Sequence, residues 1–178
     1  SLVDEAIRGA AEKGYLRMGD GNSLSSYRIT DSHPSGDGPI QAMHWALADA
    51  DATPQDVDYV NAHGTSTPMN DRSESAAMHA VFGAEVGRVS VSSTKSAMGH
   101  LIAAAGAVEA AVCALSIHHG VLPVNANYLH PDPDCMLNLV VGTARKQPVR
   151  VALSNSLGFG GSNSCLAFRH PDFDGGRT

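Results

Sequence analysis

Residues 57–71 read VDYVNAHGTSTPMND, and this stretch decides how the chain folds. Its apolar beginning, residues 57–62, predicts a short strand that ends at His63. Gly64 permits a tight turn, and a helix is expected at about 71–82. A strand followed directly by a helix is typical of α/β proteins, in which ligands bind beyond the carboxyl ends of the strands. The stretch therefore predicts an α/β fold with His63 on the ligand-binding side of the sheet.

Outside this unit, strands and helices alternate early in the chain, and strands pair as hairpins near its end. Further strands are expected at 15–18, 89–92, 137–141, 149–154 and 163–168, and further helices at 2–12, 39–50 and about 98–117. The last helix is rich in alanine and has Gly106 inside it. Glycine within a helix costs about 1 kcal/mol relative to alanine unless close packing compensates. We therefore expect a central buried helix with a structural role.

The composition excludes several classes of protein. Among 178 residues, 12 Lys and Arg oppose 18 Asp and Glu, for a formal net charge of −6, and 43% are hydrophobic. The apolar fraction is too high for a disordered chain, and the acidic balance argues against nucleic acid as the main partner. No apolar run reaches the ~20 residues that a membrane span needs. Cys113, Cys135 and Cys165 are widely spaced, without a disulfide framework or a metal-binding pair, which predicts a cytoplasmic protein.

The loop after the strand at 57–62 places hydroxyl groups beside a histidine. Thr65, Ser66 and Thr67 follow His63 closely and can form hydrogen bonds with a polar ligand. An ordinary loop between a strand and a helix, capped by hydroxyl residues, would have the same sequence. This segment alone leaves both interpretations open.

A second histidine follows the next predicted strand, in residues 93–100, which read STKSAMGH. His100 is expected near the start of the alanine-rich helix, whose positive end disfavours the imidazolium form, and Lys95 adds to that effect. The sequence therefore predicts a neutral His100 that donates a hydrogen bond. A buried structural histidine is the alternative, although two histidines at adjacent strand ends favour a site.

A glycine-rich segment, residues 155–163, lies between two predicted strands and reads NSLGFGGSN. Three glycines around Phe159 predict a loop that brings backbone N–H groups close to a ligand. The segment is not a dinucleotide-binding fingerprint, because Asn163 stands where the third glycine belongs and a strand follows. A tight hairpin is the alternative interpretation.

Together and in this order, the three segments resemble the β-ketoacyl-acyl-carrier-protein synthases, the condensing enzymes of fatty-acid and polyketide synthesis. Residues 60–68, VNAHGTSTP, resemble the first histidine motif of this family. Residues 93–100, followed by 104–106, resemble its lysine and second-histidine motif, and residues 155–161 resemble its gating loop. The resemblance covers nearly the whole chain. Ala103 stands where many members have glycine, which concerns only local helix packing.

The resemblance implies a thiolase-like fold, with two similar halves that each contain a five-stranded mixed sheet with helices on both faces, usually in a homodimer. Residues 1–34 would be the end of the N-terminal half (helix, strand and loop), 35–170 the C-terminal thiolase-like domain, and 171–178 a disordered tail. The start at Ser1, in a helix with no strand before it, predicts a fragment. The family's nucleophilic cysteine belongs to the missing N-terminal half, so this chain alone is expected to be inactive in condensation.

The implied reaction is a decarboxylative Claisen condensation of an acyl thioester on that cysteine with malonyl-carrier protein. His63 and His100 would donate hydrogen bonds to the malonyl thioester oxygen as negative charge develops, and one such donor contributes about 3 kcal/mol. Lys95 would hold charge and geometry beside His100, with Glu74 as its carboxylate partner. The implied partner is the acyl carrier protein, which carries the substrate on its phosphopantetheine arm, and no other cofactor is implied.

Further residues match parts of the family's site. Thr65 and Thr67 match hydroxyl groups that bind the phosphopantetheine arm. The backbone N–H of Phe159 would form part of an oxyanion hole for the cysteine-bound acyl group, and its ring would gate the acyl tunnel. The other matched residues are Gly158, Gly160 and Gly161 in the gating loop, and Asn61, Glu109 and Asn155 in a structural cation site seen in some relatives.

Three alternative functions compete with this one. A non-catalytic partner subunit of the chain-length-factor type is disfavoured, because such subunits typically lose the histidines, whereas His63, Lys95 and His100 are present. A fragment that only decarboxylates malonyl-carrier protein remains open, because the histidines could act alone. A nucleotide-binding α/β domain is disfavoured by the lack of a phosphate-binding fingerprint in the sequence.

Overall fold

The secondary structure alternates in the way that the sequence predicted. The computed structural model describes residues 17–25, 27–28 and 33–173. Its strands are β1 (Arg17–Leu24), β2 (Val57–Asn61), β3 (Ser90–Ser92), β4 (Val121–Leu122), β5 (Asn138–Leu139), β6 (Arg145–Lys146), β7 (Val151–Leu157) and β8 (Ser162–Arg169). Its helices are α1 (Asp37–Asp49), α2 (Pro68–Phe82), α3 (Lys95–Met98) and α4 (Ala105–His119). Short 3-10 turns lie at Pro54–Asp56, Gly83–Gly87, Ile102–Ala104 and Phe159–Gly161.

One mixed sheet runs through the molecule, with its strands in the order β1-β8-β7-β2-β3-β5. Strands β7, β2, β3 and β5 are parallel, whereas β1, β8 and β7 pair antiparallel. β4 and β6 form a separate antiparallel pair. The α/β class and the mixed sheet are confirmed. The main sheet has six strands in the described residues, rather than the implied five, because the two-residue β5 extends one edge.

Strand β1 belongs to this sheet over its whole length. Its register pairs Arg17 with Arg169 at one end and Leu24 with Ser162 at the other. The boundary expected at residue 35 therefore runs through a single sheet, because backbone hydrogen bonds join the segments on its two sides. We place the start of this folding unit no later than Arg17. The helix expected at 2–12 lies outside the described residues.

Helices cover both faces of the sheet, as predicted. On one face, Met43 of α1 and Met78 of α2 pack against Val60 in the larger of two buried apolar clusters. On the other face, Cys113 of α4 packs against Tyr59 in the second cluster. Tyr59 and Val60 are consecutive residues of β2. Because side chains alternate along a strand, β2 contributes a residue to each of the two apolar clusters.

Helix α1 lies directly on the backbone of β1. A Cβ atom on Gly19 would lie 2.4 Å from the carbonyl oxygen of Ala46, and one on Gly21 would lie 2.0 Å from that of Ala42. Any side chain at these two positions would force the helix away from the strand. The edge strand and α1 therefore form a closely packed pair.

The long helix predicted at 98–117 is interrupted in the structure. Gly99 and Ile102 have positive φ angles of 79° and 50°, which a right-handed helix cannot contain. The one-turn helix α3 ends before this break, and α4 begins only at Ala105. His100 consequently lies in the break and not in the first turn of the long helix, which corrects the prediction.

Helix α4 is buried on one side rather than all round. Ala110, Cys113 and Ile117 face the sheet, whereas Leu115 is 55% exposed. Residues 102–119 are long and apolar enough to cross a membrane, by length and composition alone. Because α4 packs on the sheet, it is a core helix of this fold. The prediction of a buried helix therefore holds for the side that faces the sheet, and 33% of residues 102–119 are buried.

The C-terminal segment begins in ordered contacts. Phe173 packs against the larger apolar cluster, and its carbonyl oxygen accepts a hydrogen bond of 2.8 Å from the buried Arg169 side chain. The expected disordered tail at 171–178 is therefore corrected for residues 171–173. Residues 174–178 lie outside the described part of the chain.

Candidate functional site

The two histidines predicted as a pair lie next to each other. Their ring centroids are 5.4 Å apart, and the ring planes are nearly perpendicular at 84°. His63 follows the carboxyl end of β2, and His100 follows α3 beyond the neighbouring strand β3. Because β2 and β3 are parallel neighbours, both histidine loops leave the sheet at the same edge.

The environment of His63 keeps its imidazole uncharged. The residue is only 8% exposed. Burial lowers the pKa of His63 to about 3, and the positive charge of Lys95 and the proximity of His100 act in the same direction. Its Nδ1 atom has no hydrogen-bond partner in the described part of the chain. Because that atom is buried, the nitrogen left to bind a polar group of a ligand is Nε2.

His100 is held by its own loop. Its Nδ1 atom accepts a hydrogen bond of 3.2 Å from the backbone N–H of Ile102. A ring nitrogen that accepts a hydrogen bond carries no proton, so in this arrangement the hydrogen is on Nε2. The exposed His100 ring lines a cleft at the sheet edge, where Nε2 can donate to a ligand. The predicted donor role therefore fits this geometry, although the helix terminus does not supply it.

Lys95 forms a buried ion pair with Glu109, not with Glu74. The ammonium group of Lys95 donates to Oε1 of Glu109, and the two side chains are 6% and 3% exposed. This contact joins the turn after β3 to α4. The resemblance implied Glu74 as the partner, and the structure corrects that assignment. No spacing rule in the sequence distinguishes the two carboxylates, because both contacts are long-range.

Glu74 instead binds the backbone of the first histidine loop. Its two carboxylate oxygens accept hydrogen bonds of 2.9 Å from the N–H groups of His63 and Gly64. Oε1 also accepts a bond of 3.2 Å from the Asn155 amide. Burial raises the pKa of Glu74, and these hydrogen bonds oppose that change. Glu74 therefore fixes the backbone that carries His63 and makes no contact with the lysine.

Ser93 links the two histidine loops and was not singled out from the sequence. Its hydroxyl lies 3.2 Å from the carbonyl oxygen of Gly64 and 3.4 Å from that of His63, and it donates to them. A Cβ atom on Gly64 would lie 2.6 Å from the Ser93 Cβ, so the loops touch closely at this point. Only its place beside Lys95 in the motif could have pointed to this serine.

Of the two threonines predicted to bind a ligand arm, Thr65 lines a cleft, and Thr67 contacts Thr65. Their Oγ1 atoms are 3.2 Å apart. The cleft has a volume of about 850 Å³ and is lined by Thr65, Lys95 and His100, among others. Other lining residues come from α2 and from the segment between β4 and β5. Hydroxyl groups and a histidine at one opening can recognise a polar, extended ligand.

The glycine-rich loop turns between β7 and β8, as the hairpin interpretation predicted, and exposes its aromatic residue. Phe159 is 80% exposed, and it is not among the residues that line the cleft. Gly160 and Gly161 both have a φ of 76°. A Cβ atom on Gly161 would lie only 1.6 Å from the carbonyl oxygen of Ser25, at the end of β1. The structure thus leaves Phe159 apart from the histidine cleft.

The three residues matched to a cation site are all buried, but they do not share one face of the sheet. Glu109 belongs to α4, on the face that holds Tyr59, and Asn61 lies two residues after Tyr59 in β2. Asn155 instead directs its amide to Glu74 and the Met43 sulfur on the opposite face. One side-chain oxygen of each of the three has no partner among the described residues. The donor set fits a cation at Asn61 and Glu109, and Asn155 would have to contribute from the other side.

The three cysteines do not have the surroundings of a nucleophile. Cys113 and Cys165 are fully buried, and burial raises the pKa of both thiols. Burial and neighbouring carboxylates raise the pKa of Cys135 to about 11. A thiol is reactive as its thiolate, which these environments disfavour.

The fold of the chain is that of thiolase-like ketosynthases. Residues 18–129 match the family described as "Beta-ketoacyl synthase, C-terminal domain". The chain belongs to the β-ketoacyl synthase family, which confirms the resemblance found in the sequence.

Named relatives agree with this assignment. The chain is 47% identical over 151 residues to nodulation protein E of Rhizobium sp. (strain N33), covering 85% of this chain and 37% of the relative. It is 42% identical over 172 residues to 3-oxoacyl-[acyl-carrier-protein] synthase 2 of Staphylococcus aureus, covering 94% of this chain and 43% of the relative. The chain thus spans about two fifths of the length of these relatives.

Solved structures show the same fold. The chain superposes with a TM-score of 0.86 on a chain of a type II polyketide synthase acyl-carrier protein in complex with its ketosynthase, at 34% identity. It superposes with a TM-score of 0.82 on a β-ketoacyl synthase from Burkholderia phymatum STM815, at 33% identity. Both comparisons cover 92% of this chain, and 41% and 40% of the solved chains.

Proposed function

We propose that this chain is the C-terminal part of a 3-oxoacyl-acyl-carrier-protein synthase that catalyses decarboxylative Claisen condensation. The observation that carries the proposal is the pair of imidazoles 5.4 Å apart, one of which burial holds in the neutral form. The homologues called 3-oxoacyl-[acyl-carrier-protein] synthase 2 support the reaction class. Fatty-acid and polyketide synthesis are both compatible with the site.

The reaction at this site first breaks one C–C bond and then makes another. Malonyl-carrier protein loses CO2, and the electron pair of the broken C–C bond forms an enolate whose negative charge collects on the thioester oxygen. The enolate carbon then attacks the acyl thioester on a cysteine, and the cysteine sulfur leaves. His63 and His100 donate hydrogen bonds to the enolate oxygen, and donors already in place favour the charged species.

Neutral imidazoles suit this chemistry better than charged ones. A cationic ring would attract the malonyl carboxylate and oppose the loss of CO2. The lowered pKa of His63 supports a neutral ring at physiological pH. Lys95 contributes a positive charge beside the pair, and Glu109 balances that charge.

Residues at the mouth of the site would hold the rest of the substrate. Thr65 and Thr67 present adjacent hydroxyl groups, which would bind the phosphopantetheine arm of the acyl carrier protein. The backbone N–H of Phe159 would serve the oxyanion of the cysteine-bound acyl group, and its exposed ring would gate the acyl tunnel. In this proposal no other cofactor takes part, and the cation at Asn61, Glu109 and Asn155 would be structural.

An N-terminal half would complete the enzyme and supply the nucleophilic cysteine. The outer face of α4 supports this, because Leu115 at its centre is exposed and the helix is apolar there. Ile102 and Phe159, at 75% and 80% exposure, are also apolar groups without cover. Apolar surface of this kind marks an interaction site. The complete protein is expected to be a cytoplasmic homodimer.

The test measures CO2 release from malonyl-carrier protein by the complete synthase, meaning this chain together with its N-terminal half. His100→Ala should slow the release by a factor of about 100 or more, the size expected for a lost oxyanion donor. The matched control His118→Ala removes an exposed histidine at the far end of α4 and should keep the parent rate. Equal rates for His100→Ala and the parent would reject the proposal.

A non-catalytic partner subunit is the second candidate, because one structural neighbour is "the ishigamide ketosynthase/chain length factor". Its TM-score is 0.84 at 33% identity. The retained His63, Lys95 and His100 favour the catalytic alternative. Mass spectrometry of the complete protein, after incubation with a carrier protein that bears an acyl thioester, distinguishes the synthase from the partner subunit. Only a synthase forms a covalent acyl adduct.

A further inference from the structure

The turn that carries Lys95 and His100 cannot hold its position through its own helix. α3 has only four residues, and a single helical turn is not stable by itself. The break at Gly99 separates it from α4, so the long helix does not continue into it. Contacts with another part of the chain must therefore fix this turn.

Those contacts come from Asn125, in the segment that follows β4. Its side-chain oxygen accepts a hydrogen bond of 2.9 Å from the backbone N–H of Ser93. Its side-chain nitrogen donates to the carbonyl oxygens of Val91, at 3.1 Å, and Val140, at 3.3 Å. Every hydrogen-bonding atom of the amide is used, and a carboxylate in its place would lack both donors.

The next residues of the same segment hold the turn from a second point. The backbone N–H of Ala126 donates a hydrogen bond of 2.9 Å to the Ser96 hydroxyl. That hydroxyl in turn donates to the Ser93 carbonyl oxygen at 2.7 Å. Asn127 reaches the Ser96 carbonyl oxygen at 3.2 Å. The segment thus fixes both Ser93 and Ser96, on either side of Lys95.

Ser93 transmits this position to the other histidine. Its backbone N–H is held by Asn125, and its hydroxyl donates to the carbonyl oxygens of His63 and Gly64. One side chain is therefore connected, through one serine, to the backbone of both histidine loops.

We propose that Asn125 is a positioning residue that sets the separation of the His63 and His100 rings by fixing Ser93. Asn125 also lines the cleft, and in this role it acts through the backbone. The proposal rests on the proposed function only for its kinetic consequence. A displacement of about 1 Å at a reacting group can cost a factor of about 100 in rate, so small movements of these loops matter.

The test compares Asn125→Ala with Asn138→Ala in the complete synthase. Asn138 is a matched control, because it is also half-buried, lies in the outermost strand β5 and loses a side-chain hydrogen bond of 3.0 Å, to Arg145. Asn125→Ala should lower CO2 release from malonyl-carrier protein by about tenfold to a hundredfold. Covalent acyl loading of the nucleophilic cysteine should stay within about twofold of the parent, since loading does not use the histidine pair as donors to the enolate. Asn138→Ala should leave both rates unchanged.

Crystal structures of the same variants give a readout that does not depend on activity. The ring separation should change in Asn125→Ala and stay at the parent value in Asn138→Ala. Ser93→Ala is a milder variant that keeps the backbone contact to Asn125 and loses the hydrogen bond to His63. It should also lower CO2 release, and it replaces Asn125→Ala in the test if that variant does not fold. When Asn125→Ala and Ser93→Ala are combined, their losses in CO2 release should not add, because Asn125 acts through Ser93.

The outcomes separate this inference from the proposed function. Parent-like CO2 release by Asn125→Ala, or a loss of rate with unchanged ring separation, would overturn the positioning role. If the parent itself releases no CO2, the proposed function fails, and the ring separations alone decide whether Asn125 positions the histidines.

Discussion

Lys95 and Glu109 form an ion pair that is almost completely buried, between the turn after β3 and the helix α4. The pair places a compensated positive charge beside His63 and His100, where Lys95 lowers the pKa of His63. It also ties the interrupted segment around His100 to the helix that follows it. The charge that the site needs and one attachment of the second histidine loop therefore come from the same contact.

Removing one member of this pair should destabilise the chain strongly. Lys95→Met or Glu109→Gln leaves an unpaired buried group, and each should lower the free energy of unfolding by about 3–5 kcal/mol. The double variant should be less destabilised than the sum of the two, measured by urea unfolding. Arg72→Ala is the control, because its ion pair with Asp134 is exposed and should contribute less than about 1 kcal/mol.

The same measurement distinguishes Glu109 from Glu74 as the partner of Lys95. The coupling energy between Lys95→Met and Glu74→Gln should be smaller than that between Lys95→Met and Glu109→Gln, because only directly interacting groups couple strongly. A larger coupling with Glu74 would contradict the observed pairing.

Glu74→Gln should disturb the first histidine loop. The introduced amide keeps one oxygen and replaces the other with an NH2 group, so either the His63 or the Gly64 backbone N–H loses its acceptor and faces a donor. An unsatisfied buried donor costs about 1–3 kcal/mol, so the free energy of unfolding should fall by that amount. Thermal unfolding of Glu85→Gln, at an exposed ion pair with Arg88, should show a much smaller change.

The stability of the chain should depend on pH through His63. Its pKa is about 3 in the folded state and about 6.5 when unfolded, so between these values the unfolded chain binds the additional proton. The free energy of unfolding should therefore fall as the pH is lowered from about 6.5 towards 3, by at most about 1.4 kcal/mol per pH unit. His63→Gln should remove this contribution, and the difference between the two pH curves isolates it from Glu74 and Glu109. A difference that does not vary over this window would contradict a depressed pKa.

The two neighbouring glycines of the gating loop should differ in their tolerance to alanine. Both have a φ of 76°, so Gly160→Ala should cost about 1–2 kcal/mol from backbone strain alone, with open space for its methyl group. Gly161→Ala should cost clearly more, because its Cβ would collide with the Ser25 carbonyl oxygen. Chemical denaturation of both variants compares their free energies of unfolding. Equal decreases would show that the backbone at Ser25 moves aside at little cost.

Much of the architecture could be predicted from local patterns. The βα unit around His63 and the alternation of strands and helices were predicted because apolar periodicity and turn residues are local properties, whereas the mixed sheet was implied by the resemblance. The break after α3 was missed, since alanine-rich residues 101–114 have a helical pattern throughout and the positive φ angles of Gly99 and Ile102 depend on the surrounding fold. Strand β5 was predicted within residues 137–141, whereas β4 and β6 were missed, because each has only two residues and is defined by its pairing with the other.

By itself, the sequence determined the order of the elements and the three motifs, and with them the family and the identity of the histidine pair. Those features follow from residue types at short spacings, which act within one turn or one strand. Only the tertiary structure decided that Glu109 pairs with Lys95, that Glu74 binds the backbone of His63, and that Ser93 joins the two loops. The physical reason is that a carboxylate binds whichever donor the packing of helices brings within reach, and distance along the chain does not fix that choice.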